Sequence, residues 1–190
     1  MRKSRSRKRS PPLKEVYHLL YAQWGSQHWW PGRTRLEIVI GAILTQNTAW
    51  TNVEKAIRRL RQARALNLRR LHSADLKTLA EWIRPAGYFN VKARRLRSFT
   101  QMMFDRFGGD LRRLFAMETP ALREVLLNVN GIGPETADSI LLYAAGRPVF
   151  VVDAYTRRVM MRHGWIGAGA TYDDIARQFT DALPRDVRMY

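Results

Sequence analysis

The sequence predicts an all-α fold. Apolar residues recur at three- and four-residue spacings along most of the chain, the helical period. Gly and Pro interrupt that pattern at intervals suited to short helix–helix connections. Only Val149–Val152 looks β-prone, and four residues cannot found a sheet. A hydrophobic fraction of 46% with 11% aromatics excludes a disordered chain, and 190 residues suffice for one or two small domains with a core.

Element by element, Met1–Ser10 is a basic arm carrying Arg2, Lys3, Arg5, Arg7, Lys8 and Arg9, and residues 1–11 are expected as a solvated tail that adds unspecific phosphate attraction. Pro11 and Pro12 open a helix whose apolar face is Leu13, Val16, Tyr17, Leu19 and Leu20. Leu36–Leu44 is a strongly apolar helix. Val53–Leu66 has apolar residues at 53, 56, 57 and 60 and arginines on its other faces. Leu76–Ile83 stops at Pro85-Ala86-Gly87. Val91–Phe107 carries Lys92, Arg94, Arg95 and Arg97 and ends at Gly108-Gly109. Thr119–Asn128 opens on a Thr-Pro start signal, Glu135–Ala145 follows a glycine pair, Ala154–His163 ends at Gly164, and Tyr172–Leu183 ends at Pro184.

Charge narrows the partner. Lys and Arg total 33 against 16 Asp and Glu, a formal net charge of +17 and a pI near 11.2, and 27 of the cations are Arg. A folded chain this basic points to a polyanion, first of all nucleic acid, although ribosomal proteins share the composition. The absence of Cys excludes a disulfide framework, a thiolate zinc site and a cysteine-ligated iron–sulfur cluster within these residues. The longest apolar stretches are short and split by Arg147 and Pro148, so no membrane span is expected. The basic N-terminus has no apolar stretch behind it and does not read as a secretory signal, which leaves the cytoplasm as the expected compartment.

The densest signal is Val129-Asn130-Gly131-Ile132-Gly133-Pro134-Glu135-Thr136-Ala137, two helices joined through Gly-Ile-Gly. Glycines two apart allow a tight turn and leave backbone N–H groups uncovered, which with the following helix N-terminus can dock a phosphate. Many helix–helix turns contain Gly-x-Gly, so the pattern gains weight from Arg147-Pro148-Val149-Phe150-Val151-Val152-Asp153 downstream. That run delivers one carboxylate after four apolar residues in an acid-poor chain. By itself Asp153 reads first as the N-cap of Ala154–His163.

These two blocks resemble the helix-hairpin-helix and the Gly/Pro-rich loop with aspartate of the endonuclease III-like DNA glycosylases. Gly41-Ala42-Ile43-Leu44-Thr45-Gln46-Asn47-Thr48 and Gly87-Tyr88-Phe89-Asn90-Val91-Lys92-Ala93 add to the resemblance, which covers roughly residues 28–165. Trp29-Trp30-Pro31, Trp50, Arg84-Pro85-Ala86-Gly87 and Glu135-Thr136-Ala137-Asp138 are most similar to the 3-methyladenine glycosylase subgroup. The resemblance implies two helical subdomains with a DNA-binding cleft between them: 12–32 with 147–190, bearing the catalytic Asp153, and a helical barrel, 33–146, holding the hairpin at about 119–146.

The implied activity is hydrolysis of the N-glycosidic bond of a damaged base flipped out of duplex DNA. Asp153 would stabilise the positive charge that builds on the sugar. Trp29, Trp30, Pro31, Trp50 and Glu135 would form the base pocket, with aromatics at 30 and 50 sandwiching the base. A cationic alkylated purine gains a cation–π contribution of ~1–2 kcal/mol on indole. Glu135 alternatively caps its helix. Gln46 would fill the space left by the flipped base or simply end its helix, and Asn47, Lys92, Gly131, Ile132, Gly133 and Thr136 would contact DNA. Bifunctional relatives carry a nucleophilic lysine where this chain has Glu135, and no lysine follows Lys92, so no Schiff-base lyase step is expected. The other readings are a glycosylase for an oxidised pyrimidine or a mismatched base, and a non-catalytic helix-hairpin-helix DNA binder. No metal and no cofactor are expected beyond a monovalent cation that the hairpin could take. The expected partner is double-stranded DNA with a damaged base, met by a nucleoid-associated monomer with no membrane. Many relatives bind a four-cysteine cluster after the last helix, and Leu183–Tyr190 looks like the start of a further helix cut short.

Overall fold

A computed structural model describes residues 11–190, and the basic arm lies outside them. Among the described residues all regular structure is helical. They form two compact units, 11–28 with Pro148–Tyr190, and Trp29–Arg147.

The larger unit is built on α2 (Arg35–Leu44), which is buried almost all round from Val39 to Leu44. Thr34 caps it by accepting a hydrogen bond from the Glu37 N–H at 3.1 Å. Next comes α3 (Trp50–Gln62), which buries Val53, Ala56, Ile57 and Leu60, the i, i+3, i+4, i+7 face that its sequence spells out. It ends before Leu66, the expected boundary. Arg64 takes a left-handed φ of 52°, and the Ala65 N–H reaches back to the Leu60 carbonyl at 2.7 Å, closing the helix while still burying Ala65.

Two short helices escaped the periodicity: α4 (Leu68–Ser73), capped by Asn67, and α7 (Leu111–Phe115), capped by Asp110. Between them lie α5 (Leu76–Trp82), a 3₁₀ turn at Arg84–Ala86, and the long α6 (Phe89–Phe107), which packs on α2, α4 and α5. The hairpin is α8 (Thr119–Leu127), the turn through Gly131, and α9 (Pro134–Ser139), which continues as a π turn over Ile140–Ala144 rather than as α-helix to Ala145. This segment buries Ile140, Leu141 and Leu142 and packs against α2. Trp29–Pro31, grouped by sequence with the terminal helices, lies in this unit because Trp30 packs on Trp50 and Tyr143.

The smaller unit comprises α1 (Leu13–Trp24), α10 (Ala154–Arg162) and α11 (Tyr172–Ala182). Its core is Leu13, Val152, Met160, Ile166, Ile175 and Leu183, beside a Phe150–Phe179 stack at 3.7 Å. The apolar run Val149–Val152 crosses this core without strand partners: Val152 is buried, and its N–H donates to the Tyr172 hydroxyl at 3.2 Å. That burial explains a β-like composition where no strand forms.

Candidate functional site

The hairpin turn depends on its two glycines for different reasons. Gly131 has φ of 87°, and a Cβ there would lie 2.3 Å from the Arg95 Cγ, so both conformation and space demand glycine. Gly133 is ordinary extended backbone with φ of −93°, and a Cβ there would touch nothing within 4 Å. It caps α9 without a side chain and leaves the surface in front of the helix open. Ile132, expected on DNA, is 4% exposed, and its side chain anchors the turn from inside. Its contribution to a ligand is therefore limited to the backbone.

Gln46 follows the C-cap of α2 and is tied to the hairpin. Its Nε2 donates to the Gly131 carbonyl at 3.0 Å and to the Thr136 hydroxyl at 2.8 Å, and its Oε1 accepts from Arg95. Thr136, also expected on DNA, is buried and holds Gln46 instead. Asn47, next to Gln46, is exposed with φ of 53°, a left-handed position that Asn tolerates.

Lys92 corrects a sequence expectation. Its side chain is 1% exposed and donates to the carbonyls of Leu44 at 2.8 Å and Ala86 at 2.7 Å. Burial, with the positive Arg95 nearby, pulls its pKa down to about 8. A lysine sealed in this way contacts no phosphate. It secures the end of α2, two residues before Gln46, against the 3₁₀ turn.

The tryptophans do come together. The ring centroids of Trp29, Trp30 and Trp50 lie 5.2–5.5 Å apart, and Tyr143 lies 5.4 Å from Trp30. However, Trp30 and Trp50 cross at 89°, edge to face. A base stacked between two indoles needs them parallel and about 7 Å apart, twice the optimal carbon separation of ~3.5 Å. The expected sandwich is thus not open: the indoles fill each other's faces, and Trp30 is wedged so closely over Gly41 that a Cβ there would lie 3.1 Å from its Nε1. A cavity of about 220 Å³ adjoins Trp30, Pro31 and Trp50. Its charged lining is mixed: Glu37 and Glu54 stand with Arg33, Arg58 and Arg61. Glu135 does not line it; that side chain is exposed on the first turn of α9. Glu37 is buried and held by Arg61 at 2.9 Å.

In the smaller unit, Asp153 is the N-cap of α10. Its Oδ1 accepts from the Thr156 N–H and hydroxyl, both at 2.7 Å, and its Oδ2 accepts nothing among the described residues. One oxygen therefore fixes the carboxylate and the other is available for chemistry, so capping and catalysis are compatible.

Residues 40–185 match the HhH-GPD superfamily of base excision DNA repair proteins. The chain belongs to that superfamily. A Methanocaldococcus jannaschii protein named "Putative DNA repair glycosylase" is 46% identical over 94% of this chain and 81% of its own length. Endonuclease III of Sulfolobus acidocaldarius is 30% identical over 78% of this chain and 66% of its own. Among solved structures, the Helicobacter pylori 3-methyladenine DNA glycosylase bound to 1,N6-ethenoadenine superposes with a TM-score of 0.76 at 31% identity, covering 90% of this chain and 79% of that one. A trapped endonuclease III–DNA covalent intermediate gives 0.79 at 22% identity, over 93% and 82%, which supports the fold.

The HhH-GPD assignment makes this a DNA glycosylase of the endonuclease III-like type, with a 3-methyladenine glycosylase among its structural neighbours. The four-cysteine cluster of some superfamily members does not fit these residues, which include no Cys; among the described residues no three His, Asp or Glu gather as a metal site either. No described helix is long and apolar enough to cross a membrane. Sequence reasoning missed one contact that braces the hairpin. Arg123 on α8 clamps Asp138 on α9 through two bonds, Nε to Oδ1 at 2.7 Å and Nη2 to Oδ2 at 3.1 Å, with Asp138 3% exposed. A bidentate pair of this kind fixes the two hairpin helices against each other. Its fifteen-residue separation crosses the turn, so no helical period reveals it.

Proposed function

We propose that this glycosylase removes an alkylated purine of the 3-methyladenine kind from double-stranded DNA by hydrolysis, without a lyase step. The observation that carries the substrate class is the trio of indoles Trp29, Trp30 and Trp50 beside a cavity of about 220 Å³. A base that is positively charged through alkylation is drawn to indole faces, and a neutral base lacks that cation–π attraction. The Helicobacter pylori neighbour, which binds a modified adenine, supports the same class. To admit the base, the Trp30 and Trp50 rings rotate out of their edge-to-face contact.

An alkylated purine carries its own positive charge as a leaving group, so departure needs no strong acid. One carboxylate then suffices. Asp153 stabilises the sugar cation through Oδ2 and orients water, while Oδ1 stays on Thr156. Against the lyase route stand Glu135, where a nucleophilic amine would be needed, and Lys92, the last lysine, whose amine is buried on two carbonyls.

The test is release of free base from duplexes carrying 3-methyladenine, 7-methylguanine, uracil or thymine glycol. Release from the first two and not the last two is expected; preferential release of thymine glycol or uracil would move the enzyme to another lesion. Trp50→Ala is expected to lose at least about 10-fold of the preference for the cationic bases, the equivalent of ~1.4 kcal/mol of cation–π and stacking energy.

A further inference from the structure

Beside the hairpin turn, α6 and Gly131 border a groove of about 360 Å³. Arg94, Arg95, Ser98 and Asn130 line it. Arg97 also reaches it, but its guanidinium donates to the carbonyls of His72 and Ala74, which leaves Arg94 and Arg95 as the cations facing the groove. Arg94 makes no ion pair among the described residues, and Arg95 bonds the Gln46 amide oxygen. The side chain of Arg95 lies flat against Gly131, whose carbonyl is itself bonded by Gln46. Arg95 thus touches both ends of one short chain of contacts: groove on one side, Gln46 on the other.

We propose that this groove binds a DNA phosphate and that Arg95 links that binding to the release of Gln46. An anionic oxygen adds Coulomb attraction to a guanidinium that a neutral amide oxygen lacks, and the planar fork of Arg pairs with phosphate through two N–H groups. A phosphate in the groove therefore outcompetes the amide oxygen for Arg95. Gln46 then loses the partner of Oε1 and is held through Nε2 alone, by Gly131 and Thr136. In the free protein the side chain is stowed on the hairpin; on DNA it is loosened at the moment the duplex docks. The coupling rests on the DNA-glycosylase reading and adds to it an order of events, phosphate first and Gln46 second.

The experiment follows the side-chain amide of Gln46 by NMR in the whole ¹⁵N-labelled chain, assigned by its disappearance in Gln46→Glu, while an undamaged 12-base-pair duplex is added. The expected result is a shift of the Gln46 amide together with the backbone amides of Gly131 and Gly133. In Arg95→Ala without DNA, the Gln46 amide is expected to sit near its DNA-bound position, and the slope of log affinity against log salt is expected to fall by about one phosphate equivalent, ~0.9. Arg94→Ala is expected to lower the slope equally while leaving the Gln46 amide of the free protein unmoved, which separates charge from coupling should Arg95→Ala fold poorly. Shifts at Gly131 and Gly133 with no shift at Gln46 would overturn the coupling and leave DNA binding standing. No shift anywhere would overturn DNA binding and the coupling with it.

Discussion

Asp153 and Lys92 show how one residue type can be misread or doubly read from sequence. Asp153 is both a helix cap and the proposed catalytic carboxylate, because Thr156 occupies only Oδ1. The two roles separate in Asp153→Asn. Asn caps helices as well as Asp does, so the denaturation midpoint is expected to hold, while base release falls at least about 100-fold with the charge gone. Turnover surviving in that variant would return Asp153 to structure alone. Lys92 was expected to contact DNA, yet the helical phase of α6 turns it inward onto Leu44 and Ala86. Its pKa of about 8 lies below the ordinary lysine value of 10.5. The unfolded chain therefore binds more protons than the folded one between those values. The free energy of unfolding is thus expected to gain from this group as pH rises from about 8 towards 10.5, whereas at neutral pH its burial opposes folding. Urea titrations across that range check the sign, with Lys92→Met, which removes the charge, expected to flatten the slope.

The hairpin is the element whose chemistry was most legible in the sequence, and its two glycines make separable predictions. Gly131→Ala forces a left-handed alanine and drives its Cβ into Arg95, so a loss of about 2 kcal/mol or more is expected in denaturation. Gly133→Ala meets no obstacle and keeps an allowed φ, so stability is expected to stay within about 0.5 kcal/mol. Duplex affinity, measured by fluorescence anisotropy, is nevertheless expected to drop several-fold, because the added methyl sits in front of the backbone N–H groups. Unchanged affinity would mean that phosphate docks elsewhere. The glycine spacing was visible because local conformation demands it. What was hidden was how the hairpin is secured: Gln46 arrives from 85 residues away, Arg95 from α6, and Arg123 reaches Asp138 across the turn. The long helices were legible from period alone, but α4 and α7 are too short to show one and reveal themselves mainly by the caps Asn67 and Asp110. The tryptophan cluster was foreseen in membership and not in geometry, since nothing in a linear spacing says whether two indoles meet face to face or edge to face.

At the scale of the molecule, a net charge of +17 gives attraction for any polyanion, and the superfamily supplies the reason for it. Affinity for undamaged duplex is expected to fall steeply with salt, because it comes from phosphates, and selectivity for a damaged base much less, on the proposal that the indoles supply it. The Arg-for-Lys bias has a separate consequence. It leaves the hairpin half of the chain without an amine able to attack the sugar, and that scarcity is the centre of the functional account. The most direct measurement is therefore made on a duplex carrying one labelled 3-methyladenine, comparing base release with strand cleavage before alkali and attempting covalent trapping with borohydride. The account predicts complete base release, an intact strand until alkali is added, and no trapped complex. A nicked strand and a borohydride-trapped protein–DNA adduct would contradict it.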